Sequence, residues 1–392
     1  MKSIETVDIA KKCVFIRVDF NVPIVDGKIA DTSRIDAVIK TIKYAWRNEC
    51  RVILASHLGR PKGTVRNEWS LYPVAEKLNE LLGFDVIFAD DCVGDGIRKL
   101  KADLLPRDIL LLENLRFHRK ETENEEHFAK ELADHVDVYI NDAFGTLHRA
   151  HASVDGITRF VKEKACGFLV AKEIECLSKL VETPSKPYVA IIGGAKVSDK
   201  IGVINNLINK VDVLVIGGAM AYTFLAAKGI RLGKSLIEED KITTAEKIIE
   251  KMTKKGTEVI LPVDHNAAKE LQSKTKPKIF TNENFNNEYS AFDIGPETIA
   301  LFKKSIQKAR TVFWNGPLGV CEQEQYALGT NALAHAIAEL DAFTVVGGGD
   351  SVSAIKKSGV EAKIHHISTG GGASLEFLEG RKLPGLVALN YY

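Results

Sequence analysis

Arginine and histidine are concentrated near the short apolar runs in the first half of the chain. They belong to five segments, the second of which opens a predicted helix: RVDFNVP (17–23), TSRI (32–35), ASHLGRPKG (55–63), ENLRFH (113–118) and DAFGTLHRAHAS (142–153). Arginine binds carboxylate or phosphate through two parallel hydrogen bonds. A single arginine is most often a surface charge paired with an acid, but that explanation does not cover four post-strand segments. The pattern predicts a site for a small ligand with several negative charges.

Glycine dominates the corresponding turns in the second half. These turns are GGAKVSDK (193–200), GGAM (217–220), NGPLG (315–319), GGGDS (347–351) and TGGGAS (369–374). Glycine lets backbone N–H groups approach phosphate closely, and a following helix start adds a favourable dipole. Lys196 and Lys200 would meet phosphate charge, and Asp350 would be a hard oxygen ligand for Mg²⁺, although a helix N-cap role for Asp350 is equally plausible. One such turn is most often a tight connection, whereas five favour a nucleotide site.

The elements that must position these residues are short β-branched runs alternating with longer amphipathic stretches. The runs cover residues 14–18, 51–55, 86–88, 109–112, 136–140, 188–192, 211–216, 258–261, 311–314 and 342–346. Near-continuous apolar runs of this length are typical of parallel strands buried on both faces and joined by helices. Ligands of such sheets bind beyond the carboxyl ends of the strands, where the charged and glycine-rich segments lie. The predicted fold is α/β, with doubly wound, Rossmann-like parallel sheets.

The length of the chain predicts two domains. Its 392 residues exceed the roughly 250–300 at which one hydrophobic core stops growing. A helix predicted over 171–181 and the turn-rich segment TPSKP (183–187) mark the boundary. We therefore expect two doubly wound domains joined by a hinge helix and linker over 169–186.

Composition and motifs exclude several classes of protein. Lys and Arg total 53 and Asp and Glu total 52, so a net charge of +1 gives no electrostatic case for nucleic acid or an anionic membrane as a partner. Six scattered cysteines without a CxxC pair and a polar amino terminus predict a cytoplasmic protein rather than a disulfide-bonded or zinc-bound one. Neither GxxxxGK[ST] nor GxGxxG occurs, which disfavours a P-loop NTPase and a standard dinucleotide fold.

An anion site in one half and a nucleotide site in the other predict phosphoryl transfer, which depends on positioning and charge neutralisation. The motifs above, together with GGAKVSDKI (193–201), WNGPLGV (314–320) and STGGGAS (368–374), resemble those of phosphoglycerate kinases in the same order over nearly the whole chain. The resemblance implies a monomeric, two-lobed glycolytic kinase that closes about a hinge. It would transfer a phosphoryl group reversibly between 1,3-bisphosphoglycerate and ADP, with Mg²⁺, giving 3-phosphoglycerate and ATP.

The resemblance also implies domains and residue roles. Residues 1–168 with 380–392 would bind the triose, 187–379 would bind ATP or ADP, and residues 386–392 would pack on the first lobe. The triose ligands would be Asp19, Asn21, Arg34, His57, Gly59, Arg60, Arg116 and Arg149. The nucleotide ligands would be Gly193, Lys200, Gly217, Gly218, Glu322, Gly348, Gly349, Asp350 (with Mg²⁺) and Ser351. The transferring phosphoryl group would be stabilised by Arg34, Lys196, Gly371 and Gly372.

Three positions depart from the family pattern, and none of them removes a charge. They are Leu147 in place of Ala, Cys321 in place of Phe and Ser351 in place of Thr. Two alternatives fit less well. A two-lobed binding protein of the periplasmic type would need an export signal and a single ligand site, and an NAD-dependent dehydrogenase would need the missing GxGxxG fingerprint.

Overall fold

A computed structural model of the protein describes residues 1–273 and 276–392. The chain forms two compact units, Met1–Glu175 with Lys382–Tyr392 (unit 1) and Cys176–Arg381 (unit 2). The strands are β1 Cys13–Val18, β2 Ile24–Val25, β3 Lys28–Ile29, β4 Arg51–Ala55, β5 Ile87–Phe88, β6 Ile109–Leu111, β7 Val138–Asp142, β8 Glu163–Cys166, β9 Tyr188–Ile192, β10 Val213–Ile216, β11 Glu258–Ile260, β12 Asp264–Ala268, β13 Lys278–Thr281, β14 Ser290–Ile294, β15 Thr311–Asn315, β16 Phe343–Gly347 and β17 His366–Ile367. The helices are α1 Ser33–Arg47, α2 Tyr72–Leu82, α3 Asp95–Asp103, α4 Arg119–Thr122, α5 Glu126–Ala133, α6 Phe168–Val181, α7 Ile201–Leu207, α8 Met220–Ala227, α9 Ile242–Lys254, α10 Pro296–Ile306, α11 Leu328–Ala338, α12 Gly349–Ser358, α13 Gly372–Leu378 and α14 Pro384–Ala388.

Unit 1 is built on a six-stranded parallel sheet in the order β5-β6-β4-β1-β7-β8. Phe15 in the central strand β1 lies opposite Ile53 of β4 and Tyr139 of β7. Every residue of β1 is buried, as expected for a strand covered on both faces. Because the strands are parallel, the segments that follow β1, β4, β6 and β7 emerge at one edge of the sheet.

Unit 2 contains a second six-stranded parallel sheet, in the order β11-β10-β9-β15-β16-β17. It also contains a three-stranded antiparallel sheet, β13-β12-β14, which the sequence analysis did not predict. The parallel sheets confirm the predicted α/β fold class. Each parallel sheet has its own apolar core, centred on residues such as Ile16 and Leu54 in unit 1 and Ile191 and Trp314 in unit 2.

The end of the chain packs on unit 1. The N–H of Gly385 donates to the carbonyl of Leu147 at 2.9 Å, and Leu386 is fully buried. A Cβ at this position would lie 2.5 Å from the Leu147 side chain, so a larger residue here would require that side chain to move. Within the described residues, no helix combines the length and the apolar character that crossing a membrane requires.

The buried carboxyl group of Asp142, the last residue of β7, should make the free energy of unfolding of unit 1 depend on pH. Its carboxyl group is fully buried; one oxygen accepts the N–H of Val170 at 3.1 Å and the other has no partner. Burial raises the pKa of Asp142 from 3.8 to about 7. The folded protein therefore keeps a proton that the unfolded chain releases near 3.8. Below pH 3.8 this difference in pKa costs no stability, and the folded state is stabilised in full. As the pH rises toward 7, the free energy of unfolding falls by up to about 4 kcal/mol.

In the parent protein, the free energy of unfolding of unit 1 in urea should fall between about pH 5 and about pH 8. We expect this fall to be much smaller in Asp142→Asn. The exposed Asp103→Asn variant is the control and should keep the wild-type slope. An unchanged slope in Asp142→Asn would show that this carboxyl group is ionised in the folded protein throughout the range.

Candidate functional site

A cavity of about 600 Å³ in unit 1 is lined mainly by cationic and imidazole side chains. The lining consists of Arg60, Lys62, Gly63, Arg116, His118, Arg119, Thr122, Glu123, Arg149 and His151. Three predicted triose ligands, Arg60, Arg116 and Arg149, are therefore brought together on one cavity. Its charge is complementary to a small ligand that carries phosphate or carboxylate groups.

Arg116 is held in place by backbone contacts on both sides. It lies in the short helical turn Leu115–Phe117, where the side chain of Asn114 accepts its N–H at 3.0 Å. Its guanidinium group donates to the carbonyl of Gly59 at 2.6 Å. Burial, reinforced by the charges of Arg149 and Arg17, lowers the pKa of Arg116 to about 10. The group therefore stays charged at neutral pH while it is largely desolvated, which strengthens its attraction for an anion.

Gly59 must be glycine for this arrangement. Its φ of +60° lies in the left-handed region, and a Cβ would lie 2.1 Å from the ring of Trp69. The N–H of Gly59 donates to Asn21 Oδ1 at 2.9 Å while its carbonyl accepts from Arg116. The predicted ligands Asn21, Gly59 and Arg116 are thus connected through one backbone unit.

Asp19 and Arg34 form an ion pair beside this chain of contacts. Arg34, in the first turn of α1, donates to Asp19 Oδ2 at 2.8 Å, and its side chain is 39% exposed against 13% for Asp19. The other oxygen of Asp19 lies 3.9 Å from His57 Nδ1. The guanidinium group of Arg34 is thus oriented by a carboxylate and remains accessible to a ligand.

The structure also shows a buried polar network that sequence reasoning missed. Arg17, 1% exposed, donates from Nε to Ser153 Oγ at 2.8 Å, and its Nη2 lies 3.1 Å from His57 Nδ1. The backbone N–H of Ser153 donates to the fully buried Glu121 at 2.9 Å, and its hydroxyl donates to the same carboxylate at 2.6 Å. Glu121 also lies 3.6 Å from His151. One carboxylate therefore faces the cationic cluster from inside the protein.

His57 and His151 are neutral at pH 7. Burial, followed by the charges of Arg17, Arg116, Arg149 and Arg34, holds the pKa of His57 well below its usual range. Burial and neighbouring arginines likewise lower the pKa of His151 to about 3. Because Arg17 can only donate, the proton of neutral His57 lies on Nε2. His57 can therefore serve an anionic ligand as a hydrogen-bond donor rather than as a cation.

A second cavity lies within unit 2. Its lining consists of Gly194, Ala195, Gly218, Ala219, Tyr222, Lys234, Leu236, Leu271, Ser290, Ala291, Phe292, Pro317, Gly319, Val320, Glu322 and Asp350. Among the predicted nucleotide ligands, Gly218, Glu322 and Asp350 line it directly. Apolar walls with a few polar groups suit a ligand that combines a flat ring with a charged tail.

Gly193 and Gly217 directly precede the lining residues Gly194 and Gly218, and both pack closely against the NGPLG turn. A Cβ on Gly193 would lie 2.3 Å from the carbonyl of Pro317, and one on Gly217 would lie 2.4 Å from the Leu318 side chain. Gly218 has a φ of +65° and approaches the backbone of Gly194 equally closely. Close packing therefore constrains these glycines, against backbone atoms at Gly193 and Gly218 and against the Leu318 side chain at Gly217, whatever contact they make with a ligand.

The start of α12 supplies polar groups to this region. Gly348, with a φ of +91°, precedes the helix, Gly349 opens it, and the exposed Asp350 follows. Ser351 is buried, and its hydroxyl accepts the N–H of Gly316 at 2.7 Å. Its side chain therefore supports the NGPLG turn, so a hydroxyl at this position has a structural use.

The remaining predicted residues lie outside the lining of this cavity. Lys200 donates to Asn315 Oδ1, and burial lowers its pKa although Asp199 and Asp350 oppose that shift. Lys196 is exposed in the loop after β9. Gly371, with a φ of +51°, directly precedes Gly372 at the start of α13.

The sequence also did not predict which apolar residues form the wall of the second cavity. Tyr222 comes from α8, and Ala291 and Phe292 come from β14 of the unpredicted antiparallel sheet. Apolar residues in a strand or helix cannot be distinguished by pattern from ordinary core residues, so no sequence signal separates them.

Two parallel-sheet units, one with an arginine-rich cavity and one with a glycine-rich cavity, have the features of a phosphotransferase. The phosphoglycerate kinase family profile matches residues 4–381. The chain is 52% identical to the phosphoglycerate kinase of Anaeromyxobacter sp. (strain Fw109-5) over 392 residues, 99% of each chain. It is 51% identical to that of Clostridium novyi (strain NT) over 391 residues, 99% of this chain and 98% of the relative. The chain therefore belongs to the phosphoglycerate kinase family, and it is a phosphotransferase.

Solved structures agree with this assignment. The phosphoglycerate kinase from Coxiella burnetii matches with a TM-score of 0.90 at 40% identity, covering 99% of this chain and 98% of that one. The phosphoglycerate kinase from Pyrococcus horikoshii OT3 matches with a TM-score of 0.87 at 34% identity, covering 100% and 98%. The predicted family and fold class are thus confirmed.

Proposed function

We propose that the protein transfers a phosphoryl group reversibly between 1,3-bisphosphoglycerate and ADP, giving 3-phosphoglycerate and ATP, as a monomeric cytoplasmic enzyme of glycolysis and gluconeogenesis. The observation that carries this proposal is the convergence of Arg60, Arg116 and Arg149 on one cavity. The like charges of this cluster repel one another and are neutralised only in part from inside the protein by Glu121, so the cluster favours a multiply charged anionic ligand.

In unit 1, Arg60, Arg116 and Arg149 bind the 3-phosphate, and His57 donates from Nε2. Asp19 and Asn21 accept hydrogen bonds from the hydroxyl and neighbouring groups. Both acceptors are already oriented, Asp19 by Arg34 at 2.8 Å and Asn21 by the N–H of Gly59 at 2.9 Å. Such preorganisation limits the entropy that ordering these side chains would otherwise cost on binding.

In unit 2, ATP or ADP occupies the glycine-rich cavity. Gly193, Gly217 and Gly218 shape the adenine side, Glu322 accepts from the ribose, and Lys200 with the turn Gly348, Gly349 and Ser351 meets the phosphates. Asp350 fits a magnesium ligand, because it is an exposed carboxylate at the start of α12 beside a cavity suited to phosphates. Bound Mg²⁺ would neutralise charge on the nucleotide phosphates.

The transfer step needs no protein nucleophile or general base. The acyl phosphate has a carboxylate leaving group, which departs without a proton. Arg34, Lys196 and the N–H groups at Gly371 and Gly372 stabilise the negative charge on the transferring group. Since His57 and His151 are neutral at pH 7, they bind the ligand or support neighbouring side chains and do not act as extra cations.

The test is an initial-rate assay with MgATP and 3-phosphoglycerate, coupled to a dehydrogenase that consumes 1,3-bisphosphoglycerate. We expect Mg²⁺-dependent turnover that saturates in both substrates. Arg116→Ala should raise KM for 3-phosphoglycerate by roughly 10–100-fold, because a charge-assisted hydrogen bond is lost from a largely desolvated site. The control is Arg119→Ala, an exposed residue of the same cavity, which should change KM far less. Folded protein that binds MgADP without turnover would refute the proposed activity.

A further inference from the structure

A cluster of three side chains lies next to the unit 1 cavity, which His118 lines, and phosphoryl transfer assigns no role to it. Asp91, Cys92 and His118 each offer one ligand atom, and the three atoms lie within 4.8 Å of one another. Carboxylate, thiolate and imidazole are the three ligand types that zinc takes from proteins. We propose that these residues form a site for a thiophilic divalent cation of the Zn²⁺ type.

The local hydrogen bonds hold the three groups close together. His118 Nε2 lies 2.6 Å from Asp91 Oδ1, and the same oxygen accepts the N–H of Cys92 at 2.6 Å. The thiol of Cys92 donates to the carbonyl of Glu113 at 2.9 Å. The ring of His118 packs on Phe128 with 5.0 Å between centroids. The backbone and the ring contact therefore orient the ligands, and little chain ordering is needed to bind an ion.

The ligand set carries its own negative charge, although the cationic residues Arg116 and Arg119 line the neighbouring cavity together with His118. The Asp91 carboxylate supplies one negative charge, and its Oδ1 lies 2.6 Å from His118 Nε2. A cation placed here would be attracted by the Asp91 carboxylate and would replace the proton of the Cys92 thiol. The ion would have access from the solvent side, because the side chains of Asp91 and His118 are 49% and 26% exposed while Cys92 is fully buried.

Binding requires a small adjustment of two accessible side chains. Two ligand atoms on a tetrahedral zinc ion lie roughly 3.3 Å apart, so the direct hydrogen bond between Asp91 and His118 must open. The thiol proton leaves to solvent as the sulfur binds, and water occupies the fourth position. Cysteine spacing gives no sign of this site, because its ligands are of three types and come from separate segments of the chain.

The test is a titration of the full-length, reduced protein with ZnCl₂ against a chromophoric chelator, repeated with CoCl₂ to detect thiolate-to-cobalt charge transfer. We expect one Zn²⁺ per chain, a charge-transfer band that is absent in Cys92→Ser, and affinity weakened at least about tenfold in Asp91→Asn and His118→Gln. These two partly exposed positions keep the test valid if Cys92→Ser folds poorly.

The matched controls are Cys321→Ser, which removes the more accessible cysteine, and His127→Ala, which removes an exposed histidine nearby in the sequence. Both should bind zinc as the wild type does. Zinc affinity that is unchanged in Asp91→Asn and His118→Gln, or a charge-transfer band that disappears in Cys321→Ser instead, would overturn the proposal. Because binding is read out directly, failure here is distinguishable from failure of the kinase assay.

Discussion

Replacing Arg34 with alanine is expected to lower kcat by about 10²–10³-fold while the affinity for MgATP changes little. Arg34 is held by Asp19 at 2.8 Å, and its side chain remains 39% exposed at the site. A preoriented cation of this kind gains most when negative charge spreads over the transferring phosphoryl oxygens. Its removal should therefore raise the transition state more than it weakens the bound nucleotide.

The control for this prediction is Arg47→Ala. Arg47 is an exposed arginine at the opposite end of the same helix, so its removal changes net charge and helix composition equally without touching the site. Initial rates at saturating substrates give kcat, and equilibrium titration with MgADP gives the nucleotide affinity. Equal loss in both quantities would assign Arg34 a general binding role instead.

Much of the parallel-strand architecture could be predicted because buried parallel strands have near-continuous apolar sequences. The strand predicted over 188–192 coincides with β9, Tyr188–Ile192. The strand predicted over 136–140 is displaced, since β7 is Val138–Asp142 and ends in two polar residues. Both are buried, and Asn141 donates to the Tyr139 hydroxyl at 2.8 Å. A tertiary partner keeps such residues inside a strand, and a local pattern cannot show it.

The antiparallel strand β12, DHNAA, was missed for the same reason. Its polar residues lack the apolar pattern of a buried strand, yet His265 is buried and its ring nitrogen lies 2.7 Å from Asn282 Oδ1. Cationic residues of the candidate site were easier to find, because arginine next to an apolar run is conspicuous. Glu121 could not be found in this way, because within RKETENEE (119–126) it resembles any solvent-facing acid. Only the fold shows that it is fully buried against Ser153.

That burial makes Glu121→Gln the change with the largest expected effect on the stability of unit 1. Gln keeps the size of the side chain but removes the one carboxylate that accepts from both groups of Ser153, which in turn holds Arg17. Removing one partner from a buried charged network costs about 3–5 kcal/mol, because the remaining charge stays desolvated. Urea unfolding followed by Trp46 and Trp69, both in unit 1, measures this loss in a Trp314→Phe background.

The same variant should respond more strongly to its anionic ligand. Without the carboxylate, the cationic cluster has less internal neutralisation, so 3-phosphoglycerate should restore more stability to Glu121→Gln than it adds to the parent protein. Glu123→Gln is the matched control: this glutamate lines the same cavity but is exposed, and its stability should change by less than about 0.5 kcal/mol. If 3-phosphoglycerate stabilises Glu121→Gln less than the parent, then the carboxylate chiefly positions Arg17 and His57 for the ligand, and charge balance is the smaller effect.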